Sequence, residues 1–442
     1  MTERVVIMGA AGRDFHDFNT VFRGDDAVEV VAFTRAPGQN LGETDEGHER
    51  YPPELAGPGY PDGIPIRPEA DLEAIVREED VDTVCFSYSD VSHEHVMHAA
   101  ARALAAGAGF RLVGPKEMQV SVDVPVVAVD AVRTGCGKSQ LSRAFADELG
   151  SRGRSVAVVR EPMPYGDLAA DRVQRFDSMA DLDAAGVTVE AREEYEQHIE
   201  RGHTVYAGVD YGAVLARASD EHDVVVWDGG NNELPFVRPD AHFVLADPLR
   251  PEDTDTYHPG EANLRAADAV VVNKEDAATD DQIAETVSRV RDANPDAALY
   301  HADSVVTVDD PDLVRDASVL VVEDGPTLTH GDAEYGAGAV AADEYGAVER
   351  LDPRDAAVGS IANILETYDH LDRVLPAMGY SDAQRADLEA TIDAVDPDAV
   401  VAGTPVDLSR LVDVDAPIVD VSYRIELHDA TPGGLLDAHL DL

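Results

Sequence analysis

The chain has 442 residues, enough for two or three domains with their own cores, and 88 acidic against 34 basic residues give a formal charge of −54. With 44% hydrophobic residues this is not a disordered composition, and two cysteines, Cys85 and Cys136, exclude a disulfide framework or a four-cysteine zinc site. No apolar run approaches the roughly 20 residues of a membrane span, and the opening MTERVVIMG starts a strand, not a signal peptide, so the expectation is a soluble cytoplasmic protein.

The acidic excess runs along the whole chain, which points to adaptation to high salt and a potassium-rich cytoplasm of an extreme halophile, where screening suppresses self-repulsion. Lysine is then informative. Only Lys116, Lys138 and Lys274 occur, and two of them fall in candidate nucleotide motifs.

Residues 4–8 read as a buried strand leading into a turn at Gly9 and Gly12. The turn resembles a dinucleotide fingerprint without its spacing, and Arg13 and Asp14 are equally ligand groups or a local ion pair. Strands follow at 27–36, 82–90 and 110–114, with a helix before the last; strands alternating with helices predict a parallel sheet. Residues 52–68 are rich in Pro and Gly and predict a long surface loop or lid. His93, His95 and His98 do not share one helix face, so a helix start explains them better than a metal site.

From Pro125 an apolar run leads into AVRTGCGKSQ (131–140) and then a helical pattern carried by Leu141, Phe145 and Leu149. A strand, a glycine turn and a helix N-terminus form an anion cradle. Gly135 and Gly137 allow close backbone approach, Lys138 reaches outer phosphates, Ser139 holds magnesium, and Cys136 and Gln140 complete the nucleotide-contacting loop. The full phosphate-loop pattern wants a glycine where Val132 stands, so this stretch alone is also an ordinary βα turn.

After SVAVVREPMPYGD (155–167) and a helical, polar region to about 220, Val224–Trp227 end at Asp228, a carboxylate placed to bind magnesium or orient water, followed by Gly229 and Gly230. Strands at 241–250 and 268–276 come next, the second ending in Asn273, Lys274 and Asp276, an N-K-x-D group suited to a purine. Beyond residue 318, Thr327, Thr329, His330 and glycines 331, 336 and 338 form either a second anion loop or a connector, before helices near 357–368 and 382–395.

The segments IMGAAGRDFHDFN, SYSDVSHE, AVRTGCGKSQ, REPMPYGDL, VYAGVDY, VWDGGNNELPF, YHPGE, VVNKED, EDGPTLTHG and AGTPVDL run in order over nearly the whole chain and resemble those of the cyclic 2,3-diphosphoglycerate synthetase family. The resemblance implies an α/β protein of three parts: an N-terminal Rossmann-like domain (1–124), a central P-loop domain of the SIMIBI class with a mostly parallel sheet (125–317) and a C-terminal α/β domain (318–442). It implies ATP-driven closure of a phosphoanhydride in 2,3-diphosphoglycerate, with ADP and phosphate released. In that reaction Lys138, Asp228 and Arg133 are the expected catalytic groups, Ser139 and Asp228 hold Mg²⁺, and Arg13, Arg160, Thr327 and His330 bind the polyanionic substrate. N-K-x-D selects guanine in other P-loop proteins, so ATP against GTP stays open. The rival reading is a SIMIBI GTPase acting as a switch or metallochaperone, against which the scattered Cys and His stand; a nucleotide sensor is a third. Neither nucleic acid nor membrane is an expected partner, and a homodimer is expected only as the commonest assembly.

Overall fold

In the computed structural model, residues 2–36, 48–161, 166–230, 233–323, 328, 334–377, 382–404, 408–410 and 412–440 are described. The chain is a mixed α/β protein with mostly parallel sheets, and it forms two compact units. The first comprises Met1–Asp177, Gly202–Ala302 and Leu427–Leu442; the second comprises Ser178–Arg201 and Asp303–Glu426.

The first unit holds two sheets. The smaller contains β1 (Glu3–Met8), β2 (Val28–Arg35), β3 (Arg50–Tyr51), β4 (Ile64–Pro68), β5 (Thr83–Phe86) and β7 (Gly109–Leu112), in the order β3-β4-β2-β1-β5-β7. Its pairings are parallel except at β3–β4. Residues 52–68, expected as a loop, instead contain a short helix at Pro53–Ala56 and the strand β4. Buried Tyr51, Leu55 and Ile64 pack this excursion onto Phe15 and Phe33, and that apolar gain outweighs the breaking tendency of Pro and Gly.

The larger sheet is built from β8 (Val126–Ala131), β9 (Val156–Arg160), β10 (Gln174–Phe176), β11 (Thr204–Ala207), β12 (Val224–Asp228), β13 (Ala241–Ala246), β15 (Ala269–Val272) and the start of β16 (Ala298–Val308). Their order is β10-β11-β9-β12-β8-β13-β15-β16, parallel except at β10–β11. β8, β12, β13 and β15 are buried at every residue, as a sheet covered on both faces requires, and this is why they read as continuous apolar runs. Strands β10 and β11 fall inside the stretch expected to be helical.

A short antiparallel ladder of β6 (Val91–Ser92) and β14 (Tyr257–His258) ties the segment after β5 to the segment after β13. The C-terminal helix Pro432–His439 returns to this unit, where Arg152 reaches Asp437 at 2.6 Å and the Gly433 carbonyl at 3.1 Å.

In the second unit β17 (Ser318–Glu323), β18 (Glu349–Arg350), β19 (Val374–Pro376), β20 (Ala399–Gly403) and β21 (Ile418–Leu427) form a parallel array, β21-β20-β17-β18, with β19 also on β17. Helices Gly359–Thr367 and Asp382–Val395 occupy the expected positions. Among the described residues no helix is long and apolar enough to cross a membrane.

Candidate functional site: a phosphate loop among buried carboxylates

The loop after β8 turns through Gly135 (φ 86°) and Gly137 (φ 101°), and the helix Lys138–Ser151 begins there. Both positive φ values suit glycine. Val132, where the pattern has a glycine, stands just beyond β8 and continues its pairing: its N–H donates to the Leu245 carbonyl at 2.9 Å and its side chain is buried. Gly260, on the facing segment, allows a close backbone approach here, since a Cβ there would lie 2.0 Å from the Val132 backbone oxygen.

Asn273, at the end of β15, donates from Nδ2 to the Cys136 carbonyl at 2.9 Å, so the third strand of the motif set braces the loop directly. A Cβ on Gly137 would stand 2.3 Å from that same Nδ2. Gly137→Ala therefore adds left-handed strain of about 1–2 kcal/mol to a steric conflict with the brace. We expect nucleotide affinity to fall about tenfold or more, measured by calorimetric titration on the folded variant.

Three glycine-flanked helix starts can be compared. In the first, after β1, the Asp14 carboxylate accepts from the Ala11, Gly12 and Phe15 N–H groups at 2.7–3.2 Å. Burial pushes its carboxyl up to about 7, against the lowering effect of those same bonds. In the second, Glu323 at the end of β17 accepts from Gly336, Gly338 and Ala339 N–H at 2.8–3.0 Å, ahead of the helix Ala337–Glu344. Each cradle is filled by the protein's own anion. The helix at Lys138 has no acidic residue in its first turn, which is where an external phosphate finds a field of the right sign. Thr327, Thr329, His330 and Gly331 lie outside the described residues.

Asp228 ends β12 fully buried, and Arg160 ends the neighbouring β9. One guanidinium nitrogen of Arg160 is 2.5 Å from Asp228 Oδ2 and 3.4 Å from Ser139 Oγ. The two expected magnesium ligands thus converge on a single cationic group. Ser139 and Asp228 suit Mg²⁺, which takes one or two protein oxygens and completes its shell with phosphate and water. Among the described residues no group of three or more His, Cys, Asp or Glu forms a metal site; His93 and His98 face different carboxylates, Glu261 at 3.5 Å and Glu94 at 3.4 Å.

Several buried acids here carry no sequence signal of their own. Asp130, inside β8, is held by His242 Nε2 at 2.9 Å and by the Trp227 indole N–H at 3.3 Å; burial raises its pKa although the His242 hydrogen bond works the other way. A Cβ on Gly229 would meet Asp130 at 2.1 Å and one on Gly230 would meet Glu161 at 1.9 Å, so the double glycine after Asp228 makes room for two carboxylates. Asp247 binds Lys274 Nζ at 2.9 Å; burial pushes it up, but Lys274 and Arg250 outweigh this and hold it below the usual range. Lys274 is therefore engaged inside the protein, Asn273 on the loop, and exposed Asp276 is the residue of the N-K-x-D group on the surface.

The expected substrate cations are also engaged. Arg133 donates to Asp90 at 3.0 Å and Asp253 at 2.8 Å and lies 3.7 Å above the Tyr257 ring. Arg13 sits 3.7 Å from Asp17, 3.4 Å from His258 Nε2 and 3.3 Å from the Val113 carbonyl. Burial and the Arg13 charge pull His258 down to about 3, so its ring is neutral and accepts from Arg13. Lys138 is 7% exposed, and its charge lies near enough to Asp130 to lower that group's pKa.

No family model matches the sequence. The arginine synthetase ArcE of Thermococcus kodakarensis is 53% identical over 424 residues, covering 96% of this chain and 94% of the relative. Among solved structures, the apo form of LpxK from Aquifex aeolicus in complex with ATP gives a TM-score of 0.37 at 14% identity, over 70% of this chain and 86% of that one. The hydrogenase maturation factor HypB from Archaeoglobus fulgidus gives 0.26 at 16% identity, over 48% and 89%. These structural likenesses are too weak to carry functional weight. The identity to the Thermococcus protein spans nearly the full length of both chains, and this chain belongs to the family of the arginine synthetase ArcE.

Proposed function

We propose that this chain is an ATP-dependent ligase that completes the guanidino group of arginine. The observation that carries the reading is the 53% identity over 96% of the chain to a protein named as an arginine synthetase. The chemistry that such a reaction needs is plain. A ureido oxygen takes the γ-phosphoryl group from ATP, releasing ADP; ammonia adds to the activated carbon; phosphate leaves and a proton is lost. The C–N bond formed replaces the C–O bond broken, and the sum is ureido amino acid, ammonia and ATP going to arginine, ADP and phosphate.

In this reading the N–H groups at the start of the Lys138 helix cradle the phosphates, and Lys138 offsets charge on the group in transfer. Ser139 and Asp228 would hold Mg²⁺, which would supply charge neutralisation at the phosphates. Arg160 keeps those two side chains together and Asn273 fixes the loop. Asp276 is the group that would meet the purine. Replacing Asp276 with Ala should weaken the preferred nucleotide about tenfold, the scale of one hydrogen bond to a charged group. Equal affinities of variant and parent in a titration would mean that this carboxylate does not read the base.

The second reading, closure of a cyclic phosphoanhydride in 2,3-diphosphoglycerate, is favoured by the motif resemblance. The charge around the loop favours it less. Arg13, Arg133 and Arg160 already face Asp17, Asp90, Asp253 and Asp228, which leaves a polyanion poorly compensated and suits an amino acid with a nitrogen-rich end. The experiment is phosphate release in molar KCl with Mg²⁺ and ATP or GTP, offering the ureido analogue of arginine with ammonium, or 2,3-diphosphoglycerate, or neither. Arginine formed in step with ADP supports the ligase. A cyclic phosphoanhydride signal in ³¹P NMR supports the second reading, and slow release indifferent to either substrate supports a GTPase switch.

A further inference from the structure

Glu233 lies in the loop that follows β12 and is 1% exposed. Its Oε1 accepts from the Ser89 hydroxyl at 3.0 Å, and its backbone carbonyl accepts from Asn263 Nδ2 at 3.0 Å. Its second carboxylate oxygen, Oε2, is buried and has no hydrogen-bond partner among the described residues. Among the described residues no Lys, Arg or His pairs with it. An orphaned buried acceptor costs about 1–3 kcal/mol, and more when it is charged, so such a group calls for a reason.

The neighbours of Glu233 supply one, because both of its anchors lead to the phosphate loop. Ser89 is followed by Asp90, whose carboxylate takes Arg133 Nε at 3.0 Å and the Thr134 N–H at 3.3 Å. Asn263 belongs to the helix Gly260–Ala266, whose first residue packs against the Val132 carbonyl. Just beyond, Leu234 and Phe236 enter the core and fix the backbone, with the Phe236 carbonyl accepting from Val120 N–H at 2.8 Å. Ser89 needs only one acceptor. The Ser89 hydrogen bond therefore leaves Oε2 unaccounted for.

We infer that Glu233 binds the nitrogen-bearing end of the substrate, accepting N–H groups of a guanidinium or ureido group on Oε2 and setting the reacting carbon beside the phosphate loop. This rests on the arginine-forming reading and makes Glu233 the residue that tells a guanidinium substrate from an uncharged one. A guanidinium offers a planar pair of donors and a positive charge, which match a carboxylate fixed on one oxygen and unpartnered on the other.

The test is Glu233→Gln in the full-length protein, assayed in the arginine-consuming direction with ADP and phosphate, alongside calorimetric titrations of nucleotide and of arginine. The expected result is a KM for arginine raised at least tenfold, a KM for the ureido substrate in the forward direction changed less, and nucleotide affinity within twofold of the parent. Ser89→Ala, which frees the carboxylate from its anchor while keeping the charge, should raise the arginine KM by a smaller factor; it also keeps the question answerable if the glutamine variant does not fold. An unchanged arginine KM in a folded variant overturns the inference. If the parent shows no arginine-dependent turnover, the arginine-forming reading fails separately; Glu233 is then judged by titration alone, where arginine binding lost in Glu233→Gln supports it, and binding that is unchanged or absent from the parent overturns it.

Discussion

Lys138→Ala is expected to lower nucleotide turnover by about a thousandfold while the protein stays folded, because one preorganised cation facing a transferring phosphoryl group is worth that much in a low-dielectric site. The side chain lies near Asp130 at the start of a helix with no acidic residue in its first turn. Removing it leaves the backbone cradle intact, so nucleotide binding should weaken far less than turnover. Single-turnover phosphate release and a thermal melt, run on the same preparation, check both halves. Normal turnover in a folded variant would falsify the phosphate-loop assignment.

The second large effect is on stability. If every Lys and Arg neutralised one carboxylate, the excess of 88 acidic over 34 basic residues would still leave 54 carboxylates. At about 0.1 M salt the screening length is about 10 Å, which lets neighbouring surface carboxylates repel; at about 1 M it falls to about 3 Å. The melting temperature should therefore climb by roughly 10 °C or more over that range of KCl, a shift that corresponds to several kcal/mol for a unit of this size. Guanidine-free melts in KCl decide it. A flat profile would mean that the acidic surface carries no net repulsive load and would remove the high-salt reading.

Much of the proposed nucleotide site can be read from the chain because each part is local. A phosphate loop is a strand end, two glycines and a helix start, so Gly135, Gly137, Lys138 and Ser139 declare themselves by spacing. Asp228 and Asn273 do so as polar residues that end apolar runs, and parallel strands buried on both faces make those runs long. The substrate cations were less legible. Arg13 and Arg133 stand in suggestive motifs, yet Arg13 faces Asp17 one helical turn on, and Arg133 is committed to Asp90 and Asp253, far away in sequence, which no local pattern announces.

The same distinction separates the three glycine turns. The sequence leaves the turn at Gly9 and the one at Gly336 open between anion loops and ordinary turns or connectors. Whether such a turn accepts an outside anion depends on what fills it, and Asp14 and Glu323 fill two of them. Asp14 is a neighbour in sequence, so its capping role was within reach of a careful reading; Glu323 comes from the preceding strand and was not.

The amino-acid sequence by itself determined the alternation of strands and helices, the acidic surface, the order of the nucleotide motifs and the residues that end each central strand, all of which follow from periodicity, composition and short-range spacing. Only the tertiary structure decided which charges are spent on one another, that Gly260 approaches the Val132 backbone, that Asn273 braces the loop, and that Glu233 keeps one buried carboxylate oxygen without a partner among the described residues. Those depend on distances between segments separated by tens to hundreds of residues, and a linear pattern carries no measure of them.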